Sequence, residues 1–275
     1  MTYATLMVQL ELGHPNAGLL KIAADLAERF NAHVIGIATC QPIQMMYADD
    51  YVPGDVFEQD NKERHKEMEE AEAEFRAALQ TQSRALEWRS SIRFAPLADY
   101  VAGEARSADL LIAGVASGEL FDSSRALNTG DLIMQAGRPV LLVPHAVQKL
   151  SLDRVVVGWK DSRETRRAVS DALPLLKQAA HVTVVEIAAS DDMDAAHKHV
   201  QGVVAWLKQH GVEAVCDVSS STGDDAAGLY TAAQDLGADL IVAGAYGRSR
   251  LVEWALGGVT RDLLLRPDFC ALLSH

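Results

Sequence analysis

Four glycines close together in the last part of the sequence could bring the backbone against a bound anion. Gly244, Gly247 and Gly257 form the pattern G-x2-G-x9-G, and Gly258 follows directly. Because glycine has no Cβ, the backbone at these positions can turn sharply and approach a ligand closely. The alternative is that Gly244 ends a strand and Gly257 starts a helix without any ligand. Three glycines at this spacing after an apolar run favour a phosphate-binding loop.

Hydrogen-bond donors accompany these glycines. Gly258, Val259 and Thr260 open a predicted helix, and the unpaired N–H groups and positive dipole end of a helix N-terminus favour phosphate. The side chains of Arg248, Arg250 and Thr260 could add further hydrogen bonds. The segment therefore combines backbone and side-chain donors for an anion.

Two other groups of polar residues favour a structural interpretation. His197 and His199 could suggest a metal-binding pair, but residues i and i+2 do not share a helix face, and no cysteine or carboxylate cluster accompanies them. Glutamates along the predicted helix 59–83 indicate a solvated surface rather than an acid–base site. The sequence contains neither G-x-S-x-G nor G-x4-G-K-[ST]. We therefore predict no metal ligands and no dedicated hydrolytic machinery.

The composition excludes several classes of protein. The 275 residues are 49% hydrophobic and 23% charged, with a net charge of −13, so disorder, a collagen-like repeat and a disulfide scaffold are excluded. An acidic chain without a basic stripe is a poor candidate for nucleic-acid binding. No apolar run reaches the ~18 residues that span a membrane, and the N-terminal sequence predicts a strand rather than a signal peptide. We predict a cytoplasmic protein in which Cys40, Cys216 and Cys270 are reduced core residues.

Strands and helices are predicted to alternate in both halves of the chain. Apolar segments predict strands at residues 6–12, 33–40, 87–94, 109–114, 139–144, 154–159, 181–187, 213–218, 239–243 and 269–274. Periodic segments predict helices at residues 15–30, 59–83, 97–106, 124–136, 162–179, 192–210, 224–236 and 258–265. Such alternation indicates a parallel sheet covered on both faces, with ligands bound at the carboxyl ends of its strands.

The sequence contains an internal repeat. Residues 108–114, ADLLIAG, recur as ADLIVAG at residues 238–244, and each half opens with an apolar strand, a polar turn and a helix. A length of 275 residues also suits two domains of ordinary size. We predict an α/β architecture of two tandem doubly wound domains with five-stranded parallel sheets, spanning residues 1–147 and 148–275.

Over essentially its whole length the chain resembles a tandem universal stress protein. The resemblance rests on the strand order of both halves, on the sequence VVVGWKDS at residues 155–162 and on the glycine pattern. It implies Rossmann-like domains of the adenine nucleotide alpha hydrolase type. It also implies ATP or a related adenine nucleotide as ligand, with no metal beyond nucleotide-associated Mg²⁺. The glycine loop would then hold the phosphates, and the adenine would lie against backbone near Ile187.

Two positions depart from the pattern of the family. Nucleotide-binding members usually place an Asp after the first strand, where it meets the ribose hydroxyls; here Lys160 follows Trp159 at this position. A lysine accepts no hydrogen bond, so it could reach a phosphate instead, or Asp161 could take the role. The Ser or Thr that follows the last glycine in the family is Gly258 here, which keeps only its N–H. The resemblance thus implies a mostly intact phosphate cradle and weakened ribose recognition.

The first half has lost more of the pattern. In its counterpart of the loop only Gly114 is in place, and Glu11 lies near the Asp position. This half is therefore predicted to be structural or to bind other proteins. Its predicted loop 41–58 could cap a ligand or partner, or pack over the neighbouring domain, with the apolar side chains of Met45, Met46, Tyr47 and Tyr51.

The favoured hypothesis is a stress-response protein that binds an adenine nucleotide in its second domain. The alternatives are an interaction scaffold that needs no nucleotide and, third, a slow phosphohydrolase. The resemblance further implies that segments 139–144 and 269–274 pair with each other around a pseudo-two-fold axis, as an internal pseudo-dimer. A homodimer of the whole chain and an unidentified protein partner stay open, whereas nucleic acid and membrane are not predicted as partners.

Overall fold

Strands and helices alternate along the chain. The computed structural model describes residues 2–42, 54–81, 83–115, 127–245 and 268–275. The first half contains β1 (Thr5–Gln9), α1 (Ala17–Phe30), β2 (His33–Cys40), α2 (Gly54–Leu79), β3 (Ala85–Ile92), α3 (Leu97–Glu104), β4 (Leu110–Gly114), α4 (Thr129–Ala136) and β5 (Val140–Val143). The second half contains β6 (Arg154–Trp159), α5 (Arg163–Leu176), β7 (His181–Ala188), α6 (Met193–Gln209), β8 (Ala214–Ser220), α7 (Asp225–Asp235), β9 (Leu240–Gly244) and β10 (Cys270–Ser274).

The strands of the described residues form one ten-stranded sheet in the order β3-β2-β1-β4-β5-β10-β9-β6-β7-β8. Each half contributes a parallel array with the same internal order, and β5 and β10 join the arrays as an antiparallel pair. Leu141 lies opposite Leu272 at this junction. The predicted α/β class and the predicted pairing of segments 139–144 and 269–274 are confirmed. The boundary between residues 147 and 148 stays a prediction.

Two hydrophobic cores cover the faces of the sheet. Buried residues from α1, α2, α5 and α6 pack on one face, and those from α3, α4 and α7 pack on the other. Side chains alternate along a strand, so Leu6 and Val8 enter the first core and Met7 enters the second. Both faces are apolar because each crossover helix covers the strands that it connects. Within the described residues, no helix combines the length and apolar content needed to cross a membrane.

Several predicted bounds differ from those observed. The first strand ends at Gln9 rather than at residue 12, and the helix predicted at 59–83 runs from Gly54 to Leu79. The prediction that Cys216 is a core residue was wrong, since its side chain is exposed. The reason is that β8 is an edge strand of the sheet, where covering helices leave part of the strand open to solvent. Cys40 and Cys270 are buried as predicted.

Some predicted features lie outside the described residues. They are the helix 258–265, the start of the helix 124–136, and the four apolar side chains of the loop 41–58, Met45, Met46, Tyr47 and Tyr51. The loop itself is shorter than predicted, because α2 begins at Gly54.

Candidate functional site

The described candidate residues lie at the carboxyl ends of three neighbouring strands. Trp159 ends β6 and Lys160 follows it, Ile187 lies near the end of β7, and Gly244 ends β9. The remaining candidates lie outside the described residues: Gly247, Arg248, Gly257, Gly258, Val259 and Thr260. Since β6 pairs in parallel with both β7 and β9, the described candidates share one edge of the sheet.

This edge contains the point where the chain reverses its direction of travel through the sheet. From β6 the chain proceeds through α5 to β7 on one side, and it returns through α7 to β9 on the other side. The helices α5 and α7 pack on opposite faces. A crevice opens at such a switch point in doubly wound sheets, and ligands bind there. Lys160 and Gly244 flank it directly.

Two candidates lie together on the α7 side of the crevice. The ammonium of Lys160 lies 3.6 Å from Oδ2 of Asp225, the first residue of α7. Ile187 packs against the same helix, where a Cβ added to Gly228 would lie 3.2 Å from Ile187 Cγ2. The N-terminus of α7 is fixed by Asp224, which accepts hydrogen bonds from the backbone N–H groups of the first turn. The structure therefore brings the cationic and apolar candidates to one helix.

The other two candidates lie on the α5 side. Trp159 is 9% exposed and packs in the core beneath α5 and α6, and its Nε1 has no hydrogen-bond partner among the described residues. At Gly244 an added Cβ would lie 2.5 Å from the backbone N of Thr165. Gly244 thus allows the first turn of α5 to contact β9. The sequence offered a ligand role for this glycine, and the structure adds a packing role.

The start of α5 carries a dense set of charges. Ser162 caps the helix by accepting a hydrogen bond from Thr165 N at 3.2 Å. Arg166 donates to Asp161 at 2.6 Å, so Asp161 already has a cationic partner. Burial opposes ionisation of Glu164, but the hydrogen bonds from Arg163, the helix backbone and Ser162 together outweigh burial and lower the pKa of this carboxyl. The sequence-based suggestion that Asp161 replaces the missing ribose acceptor therefore competes with an existing ion pair.

Glu186 is a half-buried carboxylate that the sequence analysis missed. It is the register partner of Trp159 on β7, and its side chain is 12% exposed. Its Oε1 lies 3.7 Å from His199 Nδ1, while Oε2 has no hydrogen-bond partner among the described residues. Burial raises the pKa of Glu186, and the neighbouring His199 opposes this rise. A single glutamate in the apolar run VTVVEIA was the available sequence signal.

The first half places an acid at the position of Lys160. Leu6 pairs with Leu110 as Val155 pairs with Leu240, and counting forward from Leu6 and Val155 makes Glu11 equivalent to Lys160. The same register makes Gly114 equivalent to Gly244. The sequence placed Glu11 only near the Asp position of the family, and the strand register now aligns Glu11 with Lys160.

Glu11 is turned into its own half rather than toward solvent. Its Oε2 lies 3.6 Å from His145 Nε2, and a Cβ added to Gly114 would lie 2.6 Å from Glu11 Oε1. Asn16 accepts a hydrogen bond from the Glu11 backbone N–H at 2.9 Å and holds the turn in place. Burial raises the pKa of Glu11, against the effect of His145. The carboxylate therefore fills the space beside Gly114 in which a ligand of the first half would lie.

His197 and His199 do not form a metal site with neighbouring ligands. Residue His199 instead faces Glu186. Among the residues that the structure describes, no group of three or more His, Cys, Asp or Glu side chains is arranged to hold a metal ion.

Comparisons with known proteins identify a similar family and similar folds. The model of the universal stress protein family matches residues 151–268, whereas no curated protein matches the chain. A solved universal stress protein from Archaeoglobus fulgidus DSM 4304 is 14% identical, with a TM-score of 0.77 over 98% of this chain and 95% of its own. A functionally unknown protein from Pseudomonas aeruginosa PAO1 is 13% identical, with a TM-score of 0.67 over 99% and 92% of the two chains. Residues 151–268 are therefore similar to the universal stress protein family, and the chain over its whole length has the fold of the Archaeoglobus protein.

Proposed function

We propose that the second half of the chain binds ATP or another adenine nucleotide, and that the protein acts as a stress-response binding protein rather than as a fast enzyme. One observation carries the proposal. Lys160, Ile187 and Gly244 meet at the switch point of the second parallel array, and the glycine pattern begins there. This site lies within the part of the chain that matches the universal stress protein model.

The described residues suit the parts of such a ligand. Ile187 offers an apolar contact for an adenine ring beside α7. Lys160 offers a cation for a phosphate. The phosphates of the nucleotide would extend from Gly244 along the glycine loop, and any Mg²⁺ would be bound to these phosphates. In this proposal the chain itself supplies no metal ligand.

An interaction scaffold without nucleotide is the second candidate. It is favoured by the ion pair between Lys160 and Asp225, because the Lys160 ammonium already has an anionic partner in this pair. It is also favoured because a lysine accepts no hydrogen bond from a ribose hydroxyl. In that case partners from a lysate would bind equally with and without ATP. A rise in melting temperature that depends on nucleotide concentration would contradict the scaffold.

Equilibrium dialysis of the full chain with ATP and with ADP tests the proposal. We expect saturable binding at sub-millimolar concentration, and we expect Gly247→Val to abolish it because a branched side chain would keep phosphate from the backbone. Gly202→Val is the matched control, since an added Cβ at Gly202 meets no atom within 4 Å. Circular dichroism establishes that both variants fold. A folded wild-type protein that shows no saturable binding would refute the proposal.

A further inference from the structure

Lys160 is a cation at the switch point of the second half. It is the first residue after β6, between the ends of β7 and β9. Its side chain is 70% exposed, so the ammonium is available to a ligand in the crevice. An ammonium has three donors and no acceptor. Whatever it contacts must therefore be an acceptor, and preferably an anion.

The first half has the opposite chemistry at this position. By strand register Glu11 is the equivalent of Lys160. In dinucleotide-binding doubly wound sheets, an acidic side chain about 20 residues beyond the glycine turn accepts a hydrogen bond from the ribose 2′-hydroxyl, and a nearby arginine accommodates a 2′-phosphate instead. By the same chemistry, Glu11 is a hydrogen-bond acceptor and Lys160 a cationic donor at one position of the two halves.

We propose that Lys160 binds a phosphate ester on the ribose, so that the second half selects adenine nucleotides phosphorylated at the 2′ or 3′ oxygen over ADP. The inference rests on the proposed function and concerns the same site. It assigns the ligand class and the residue that determines it.

The charges around Lys160 allow such a contact. Asp161 is held by Arg166 at 2.6 Å, and Glu186 faces His199 at 3.7 Å. Among the described residues this leaves Asp225, at 3.6 Å, as the carboxylate that competes directly for the ammonium.

The pair with Asp225 is open to exchange. Both side chains are substantially exposed, at 70% and 44%, and exposed pairs are weak because water screens them. Asp225 also accepts a hydrogen bond from Ser221 Oγ at 2.6 Å, so it keeps a partner when Lys160 leaves. A phosphate monoester carries more negative charge than a carboxylate and offers three acceptor oxygens. It can therefore replace Asp225 as the partner of Lys160.

Calorimetric titration of the full chain with four ligands tests the inference. The ligands are AMP, ADP, adenosine 2′,5′-bisphosphate and adenosine 3′,5′-bisphosphate; the last two match ADP in the number of phosphate groups. We expect one bisphosphate to bind more tightly than ADP. Lys160→Gln should weaken that bisphosphate about tenfold, the effect of losing a charged hydrogen bond, and should change ADP by less than about twofold.

Two further variants sharpen the test. Asp225→Asn should strengthen the preferred bisphosphate by about twofold to fivefold, because it removes the competing charge. Lys208→Gln is the matched control: Lys208 is also 70% exposed and lies 3.8 Å from a carboxylate, that of Glu213, but it lies in the last turn of α6, before the start of β8 and not at the carboxyl ends of the strands. We expect Lys208→Gln to leave all four affinities unchanged.

The outcomes separate this inference from the function on which it rests. The inference fails if ADP binds at least as tightly as both bisphosphates, or if Lys160→Gln weakens the binding of ADP and of the bisphosphates equally. Either result would mean that Lys160 does not contact a phosphate on the ribose, whereas nucleotide binding itself would stand. If none of the four ligands binds to folded protein, the proposed function fails and the inference with it.

Discussion

Glu186 shows how a single half-buried carboxylate can make the second half sensitive to pH. It is the register partner of the core residue Trp159, and burial raises its pKa although His199 opposes the effect. Asp161 also raises the pKa and Lys160 lowers it. The folded chain therefore holds the Glu186 proton at pH values where the unfolded chain has released it. The contribution of Glu186 to protein stability should therefore fall as the pH rises through this range, because at this group the unfolded state then binds fewer protons than the folded state.

Glu186→Gln should remove this pH dependence. Glutamine resembles the protonated acid, so it avoids the cost of a buried charge. Relative to wild type, the free energy of unfolding of the variant should increase as the pH rises from about 4 to about 7. Urea titrations at several pH values measure the difference. Glu213→Gln, at an exposed position, is the control and should give a difference that is nearly independent of pH. A constant difference for Glu186→Gln would contradict the assignment.

At the scale of elements, the contact between α5 and β9 defines one wall of the crevice. A Cβ on Gly244 would lie 2.5 Å from Thr165 N and 2.7 Å from Glu164 C. Both atoms belong to backbone that is held by the Ser162 cap, so neither can move without shifting the helix. Gly114 has a different neighbour, the flexible side chain of Glu11. The same glycine of the repeat is therefore used for helix packing in one half and for side-chain packing in the other.

Gly244→Ala should destabilise the protein by about 1–3 kcal/mol, the usual cost of an extra methyl group in a packed region. Gly202→Ala, where an added Cβ meets no atom within 4 Å, should instead be neutral or stabilising by up to about 1 kcal/mol, because alanine favours a helix. The midpoint of urea unfolding measures both variants. Equal midpoints for the two would show that α5 does not restrict Gly244.

The sequence predicted the elements better than the contacts between them. Runs of Val, Ile and Leu in a βαβ order determine a parallel sheet by local rules, and β2 and β6 have the predicted bounds. The pairing of Lys160 with Asp225 depends on how α7 crosses the sheet, which no local pattern specifies. The exposure of Cys216 likewise follows from the position of β8 at the sheet edge. Glu186 was missed because one glutamate in a strand carries no periodic signal.

At the scale of the molecule, the two halves share one sheet and several polar contacts. Besides the β5–β10 pair, Tyr3 Oη donates to the Asp171 carbonyl at 2.6 Å and Arg167 donates to the Gly137 carbonyl at 2.6 Å. Asp171 also accepts a hydrogen bond from Ser274 Oγ at 2.9 Å. These contacts join α5 to both sides of the junction, so the free energies of folding of the two halves should be coupled.

The halves should therefore unfold in one transition. In a Trp88→Phe variant the remaining tryptophans belong to the second half, so fluorescence reports that half while far-ultraviolet circular dichroism reports both. We expect the two denaturation curves to coincide. Leu272→Ala, at a fully buried junction residue, should shift both curves together by about 2–5 kcal/mol of unfolding free energy. Separate transitions, with only one moved by Leu272→Ala, would contradict the coupling.

The position of β10 between β5 and β9 has a consequence for synthesis. During translation β5 is complete long before β10 emerges, because the whole second parallel array is encoded between them. Until then β4 can pair with one edge of the apolar strand β5, but the other edge has no partner strand, and an unpaired edge of this kind can template pairing with other chains. The junction between the two parallel arrays is therefore completed only after β10 has been synthesised.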